Sequence, residues 1–534
     1  MSALIILISA ILLVAAYRIY ASFLEKRWGI DPSRETPAHK YRDGTDFVPA
    51  KKAILMGHHF ASIAGAAPII GPIVAAAYGW APVLLWVLGA GIFFGAVHDF
   101  GALFISVRHD GRNLGQLLDV YLGTGCKRAF LLFVWITSLI VIAAFTSIVA
   151  DTFTATPSAA AASTYFVALA LVFGYAVTRR GVKILPASVI GVALLIICII
   201  AGQAFPITLP KNVWIVVVLI YITISSVTPI WLLLQPRDYL NSFLLYALIA
   251  GAFTGFLFVR PDIHIPAFTS FSPDGQPLFP MMFLLVACGA ISGFHAMFAS
   301  TTTSMQISNE RDMKPVAFGG MLLEVFLAIL ALFVAASFLP EKYTELRAAG
   351  GPIIIFSKGL SGIAGKLGLP PETVAQLVVL TIASFALTSL DSVTRVARII
   401  FQDMAHDLIP ARHSVLRKTV CSKLPAAATT VVLGGLLAMR GWQTVWPLFG
   451  SANQLIAAFT FMTLFLWLRR SGKAYKMIIL PMLFMFLVAV SGLLMIFYVE
   501  LGKGHYTLPF FALILTILGM VFAKKALRNT LRNE

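Results

Sequence analysis

The sequence is poor in charge. Only 12% of its 534 residues are Asp, Glu, Lys or Arg, about half the ~25% of soluble domains. Outside residues 25–52 there is no long polar stretch, and that one is too short to bury a core. A soluble globular domain is excluded, and a sensor role has no signalling domain to carry it. Cysteine is scarce: Cys126, Cys198, Cys288 and Cys421 show no CxxC or paired spacing, which excludes a disulfide framework, a zinc finger and a redox motif. No cofactor is expected. Acidic residues are outnumbered 23 to 40 by Lys and Arg. The bases sit in short loops between apolar runs, the pattern that orients helices against an anionic leaflet, not one that grips nucleic acid. No positive residue precedes the first apolar segment, and Arg18, Lys26 and Arg27 follow it. That order opposes a cleaved secretory signal and reads as a retained span.

What is abundant is hydrocarbon. The composition is 59% hydrophobic with a mean hydropathy of +0.89, which implies that much of the outside of the fold faces lipid. Apolar runs mark about fifteen spans, near 3–23, 53–78, 82–107, 128–152, 162–178, 184–205, 213–235, 239–259, 281–304, 315–339, 373–400, 425–439, 444–468, 477–499 and 507–524. Span twelve, 425–439, is short and is followed only by a brief turn at 440–443. With the N-terminus outside and the C-terminus inside, this assignment leaves only eight of the 40 Lys and Arg on the outer side. Residues 115–123 read as a short interfacial helix. Residues 350–368, glycine-rich around PIIIF, read either as a re-entrant lid or as an interfacial loop.

Span two carries Gly57, Gly65, Pro68, Gly71 and Pro72, so it is expected to be interrupted near 65–72. Freed backbone groups inside a membrane survive where they line an enclosed, watered cavity, and paired interruptions point to substrate and ion sites. Span seven has Ser225, Ser226, Thr228 and Pro229 at comparable depth, five spans later and hence antiparallel. The two breaks are expected to share a pocket near mid-membrane. Ser62, Gly65, Ala66 and Pro68 on one side and Ser225, Ser226 and Thr228 on the other would form the substrate site. A half-helix N-terminus there would offer free donors to a carboxylate.

Ionisable groups within spans are costly and usually functional. Glu324, about nine residues into span ten, lies near mid-membrane and suits a carboxylate that carries a proton; a scaffold hydrogen bond is the other reading. His58, His59, His98, Asp99 and His295 lie in spans two, three and nine. A proton relay or polar clamp fits them. A metal site from His58, His59, Asp99 and His295 is the alternative, although adjacent histidines on a helix diverge by about 100°. Asp391 and Arg395 stand four apart and can pair on one helix face, in a structural or gating role. The amides of Asn453 and Gln454, within span thirteen, call for partners on a neighbouring helix.

These residues fall in blocks that resemble the carbon starvation family: GHHFASIAGAAPIIGP at 57–72, GAVHDFGALFISVRHDGRNLGQL at 95–117, GAISGFHAMFAS at 289–300, MLLEVFLA at 321–328, LDSVTRVARIIFQD at 390–403 and WPLFGSANQLIAA at 446–458. The chain departs from the family pattern at 65–67, which reads GAA in place of GAG. The resemblance implies a secondary transporter of the cytoplasmic membrane that imports peptides or pyruvate during carbon starvation, and no enzymatic activity. It also implies a LeuT-like fold, which agrees with two inverted five-helix repeats. The expected layout is an extra N-terminal span at 1–24, a cytoplasmic loop at 25–52, repeats at 53–205 and 206–424, and further spans at 425–534. Proton coupling through Glu324 and the histidines leads. A sodium-coupled symporter with Ser62 and Ser292 in the cation cage, and a membrane metal protein or metalloenzyme, are the alternatives. The expected partners are the small-molecule substrate, the coupling ion and the bilayer.

Overall fold

The computed structural model describes residues 1–44, 46–410, 414–439 and 441–532; Arg440, in the turn expected after span twelve, lies outside them. Every regular element among them is a helix. Eleven helices are long and apolar enough to cross a membrane, and Lys52–Ile63 with Ala67–Tyr78, bent by 41°, makes a twelfth if that pair is one span. The remaining three expected positions hold two shorter apolar helices, Lys211–Val227 and Lys423–Ala438, and an interrupted one. Length and apolarity thus support twelve spans where fifteen were expected.

The break in span two falls where the glycines and prolines put it. Lys52–Ile63 ends at Ala64 (φ −80°, ψ 45°), and a new helix starts at Ala67 with Pro68 in its first turn, where a missing amide costs nothing. Span seven is different. The Lys211–Val227 helix is unbroken and simply ends. Thr228, extended because it precedes Pro229, leads into a turn, and the next helix begins at Leu234. The second interruption is in span nine, where Leu278–Leu285 and Ala287–Ala290 give way to extended Ile291 and Ser292 before Gly293–Phe298. The two broken spans touch: a Cβ on Gly71 would overlap the carbonyl oxygen of Leu285, so only glycine permits that approach.

The longest helices, Thr124–Ala155 and Pro371–Leu408, pack along each other through the middle of the molecule. At the periphery, Ile184–Ala204 exposes Leu185, Val189, Ile190, Ile196 and Ile200, an apolar outside that only lipid satisfies. Residues 115–122 lie in the separate short helix Leu114–Leu122, which is started by a capping box of Asn113 and Gln116 and ends at Gly123 (φ 83°). Of residues 350–368, all but the turn at Leu367 and Gly368 belong to the Pro340–Lys366 helix, which turns sharply at Gly351 (φ 71°).

Candidate functional site

Span two's break sits against the Pro371–Leu408 helix. The Ser62 hydroxyl lies 3.2 Å from that of Ser392, and a Cβ on Gly65 would overlap Ser389 Oγ. Ala66 and Pro68 are buried beside them, and no side chain caps the Ala67–Ala75 helix; Pro68 carries no amide hydrogen and the Ile69 and Ile70 amides donate to the Ala66 carbonyl (3.2 and 3.0 Å), so the amide left at this helix start is that of Ala67. Ser225, Ser226 and Thr228 do not complete a pocket of hydroxyls with these residues. The Ser226 and Thr228 hydroxyls donate to carbonyls of their own helix, Thr223 and Ile224, both at 2.8 Å. The carbonyls of Ser225 and Thr228 instead accept from Arg395, one turn beyond Ser392.

Asp391 and Arg395 do not pair with each other. Asp391 accepts from Arg237 and from the Tyr221 hydroxyl (2.9 Å), while Arg395 turns to those two carbonyls and to Asp46, 3.5 Å away. Spacing of four made the pair possible; a guanidinium from another helix fits the carboxylate better because both are buried and need several hydrogen bonds. Arg237 also donates to Asp238 (2.9 Å) and Thr388 (3.2 Å), and Asp238 bonds His58 Nδ1 at 2.9 Å. Sequence reasoning missed Arg237 and Asp238 because it ended one span at 235 and began the next at 239; the helix begins at Leu234 and buries both.

A second buried network is built on Asp99. Its carboxylate accepts from His98 Nδ1 and His295 Nδ1, both at 2.8 Å, and His295 Nε2 stands 3.4 Å from Glu324. All four side chains are buried, and neither Glu324 oxygen has a hydrogen-bond partner among the described residues. With the Asp99 carboxylate as acceptor, His295 donates from Nδ1–H, which leaves its Nε2 facing Glu324. His59 bonds Thr303 at 2.8 Å and packs against Gly320, one turn before Glu324. The metal alternative fails on this geometry. His58 is committed to Asp238, apart from the Asp99–His295 pair, and among the described residues no three His, Cys, Asp or Glu side chains are grouped to hold a metal ion.

The span-thirteen amides find the partners they call for. Asn453 accepts from the Ser292 hydroxyl (3.2 Å) and from the Phe294 backbone amide (3.0 Å), holding open the break in span nine, and Gln454 donates to the Phe283 carbonyl at 3.2 Å. A cavity of about 720 Å³ reaches both broken spans. Its wall includes Val74 of span two, Met281 and Leu285 of span nine, Asp151, Trp446, and Gly351 to Ile354 beyond the turn of the Pro340–Lys366 helix.

The family described as "Carbon starvation protein CstA" matches residues 1–353 and 346–492. The chain belongs to the carbon starvation protein CstA family. It is 33% identical to the peptide transporter CstA of Escherichia coli (strain K12), over 86% of this chain and 75% of that one. It is 31% identical to the pyruvate/proton symporter BtsT of the same organism, over 85% and 75%. Among solved structures, the Eremococcus coleocola manganese transporter in complex with an aromatic bis-isothiourea substituted compound superposes with a TM-score of 0.51 at 12% identity, covering 92% of this chain and 98% of that one. That likeness shows the fold, which is LeuT-like. This CstA-family chain is therefore a multi-pass membrane protein and a secondary transporter.

Proposed function

We propose that this protein imports peptides, pyruvate or both across the cytoplasmic membrane by proton symport, with its N-terminus outside and its C-terminus inside. The carrying observation is the chain Asp99–His295–Glu324, because it places a proton-exchanging carboxylate and imidazole, both buried, on span nine beside its break and on span ten. A rocking of span nine alters the His295–Glu324 separation and so changes which of the two holds the proton. The names of the two Escherichia coli relatives supply the substrate classes and, for one, the proton.

Both substrates carry a carboxylate. It meets the uncapped N-terminus of Ala67–Ala75, with Ser62, Gly65, Ala66 and Pro68 around it and Ser389 and Ser392 opposite. The substrate arrives through the 720 Å³ cavity. In this reading fifteen segments span, the short and interrupted ones included. The first inverted repeat remains 53–205, and the second is the five segments from 278 to 470, because the broken member of the pair lies there; Lys211–Val227 and Leu234–Val259 connect them. The third helices of these two units are the long central pair. Proton coupling is preferred to sodium because the hydroxyls of Ser62 and Ser292 have separate partners, Ser392 and Asn453, and do not form one cage.

The test is uptake by the purified chain in liposomes. Pyruvate and dialanine are offered side by side under an imposed proton gradient or an imposed sodium gradient at constant pH. Accumulation of at least one under the proton gradient supports the reading; accumulation under sodium alone overturns the coupling.

A further inference from the structure

Three buried guanidiniums stand close together where Pro371–Leu408 meets the end of Lys211–Val227 and the start of Leu234–Val259. Arg237 is paired with Asp391 and Asp238. Arg395 and Arg398, on one face of the Pro371–Leu408 helix, are buried, and each has an Nε without a hydrogen-bond partner among the described residues. Their other contacts are neutral: Arg395 donates to the Ser225 and Thr228 carbonyls, and Arg398 to Gln402 at 2.7 Å. Among the described residues the carboxylate within ion-pair reach of Arg395 is Asp46, and Arg398 has none; Asp391 is already held by Arg237 and Tyr221.

The charges therefore balance, three cations against Asp238, Asp391 and Asp46, only while Asp46 is in place. Asp46 is unlike the other two. It comes from the loop before span two, is 31% exposed, and reaches Arg395 at 3.5 Å, beyond hydrogen-bonding distance. A turn presents it: Asp43 Oδ1 accepts from the Asp46 and Phe47 backbone amides, both at 2.9 Å, and the loop is tied down at Ala50, whose amide donates to the Gln306 carbonyl (3.0 Å) and whose carbonyl accepts from Ser308 (2.8 Å). Uncompensated buried guanidiniums are strongly unfavourable, and a carboxylate that bonds them directly relieves the cost.

We propose that Arg395 and Arg398 form a carboxylate-binding site, and that Asp46 occupies it as an internal ligand which a carboxylate from solution displaces. The site lies one turn beyond Ser392, along the same helix that faces the break in span two. A substrate carboxylate leaving that break meets it next. The identity of that anion as transported substrate rests on the function proposed above; the site itself does not.

The test is thermal unfolding of the full chain in detergent, titrated with sodium acetate against sodium chloride at equal ionic strength, with acetamide as the neutral control. Asp46→Asn should be stabilised by acetate with an apparent affinity at least about tenfold tighter than wild type, the worth of one charge-assisted hydrogen bond. The double variant Asp46→Asn/Arg395→Gln should lose that response while remaining folded, because it restores the charge balance. Asp46→Ser serves as the second single variant if Asp46→Asn folds poorly. Equal acetate responses in wild type and the Asp46 variants, or a response that survives Arg395→Gln, would overturn the site. No transport is needed for this readout, so a chain that carries neither pyruvate nor dialanine still answers it, and failure of the transport reading shows only in the uptake assay.

Discussion

At the scale of single residues, contact distance decides what a side chain can be. Gly65 is the sharpest case, since any Cβ there meets Ser389 Oγ. Gly65→Ala should abolish uptake and cost about 1–3 kcal/mol of stability from overpacking. Adding Ser389→Ala, which removes the clashing oxygen, should recover much of the stability. The measurements are uptake in liposomes and the thermal midpoint in detergent; a fully active Gly65→Ala would remove the break from the substrate path. A control must be chosen on the same grounds. Gly434 is unsuitable, because its Cβ would lie 2.7 Å from Ile142 Cγ2, whereas Gly251 faces open space and Gly251→Val should leave uptake intact.

At the scale of elements, the buried ion network joins span two to its neighbours. Removing Arg237 leaves two buried carboxylates, Asp238 and Asp391, without their guanidinium and with only His58 and Tyr221 as partners, so Arg237→Met should destabilise by about 3–5 kcal/mol, read as loss of folded protein after mild heating. Replacing Asp391 by Leu at the same time should recover part of it, and an Arg237→Met chain as stable as wild type would show that the network carries no stability. What the sequence made legible follows from the same local rules. Four helix-weakening residues within 65–72 announced the break in span two. The break in span nine went unseen because it lies at Ile291–Ser292, which no proline marks, and it is held open by Asn453 from a distant span. Proline at 229 signalled an interruption but produced a helix end, because the chain turns over residues 230–233 and a separate helix begins at Leu234 with Pro236 in its first turn. Asp391 and Arg395 were visible as ionisable residues within a span, yet their partners come from residues 237 and 46, which no spacing rule connects to them.

At the scale of the whole molecule, hydropathy and loop charge lead to the expectation of about fifteen crossings with the N-terminus outside; length and apolarity of the described helices support twelve, and the direction is part of the proposal. The proposed orientation places residue 33 on the cytoplasmic side. A cysteine introduced at Ser33, in a background without the four native cysteines, should resist an impermeant thiol reagent in intact cells and react after permeabilisation; ready labelling of intact cells would reverse the topology. The transport proposal draws on both halves of the molecule, since broken helices supply the path and Asp99, His295 and Glu324 supply the proton site. The most direct measurement is proton movement itself. Chain-containing liposomes, loaded with a pH-sensitive dye and given pyruvate or dialanine with no imposed gradient, should acidify inside as substrate enters. Glu324→Gln, which keeps the side-chain shape but cannot exchange a proton, should still exchange labelled for unlabelled substrate while the acidification disappears. Substrate entry without acidification in the wild-type chain, or acidification undiminished in Glu324→Gln, would contradict proton coupling through this site.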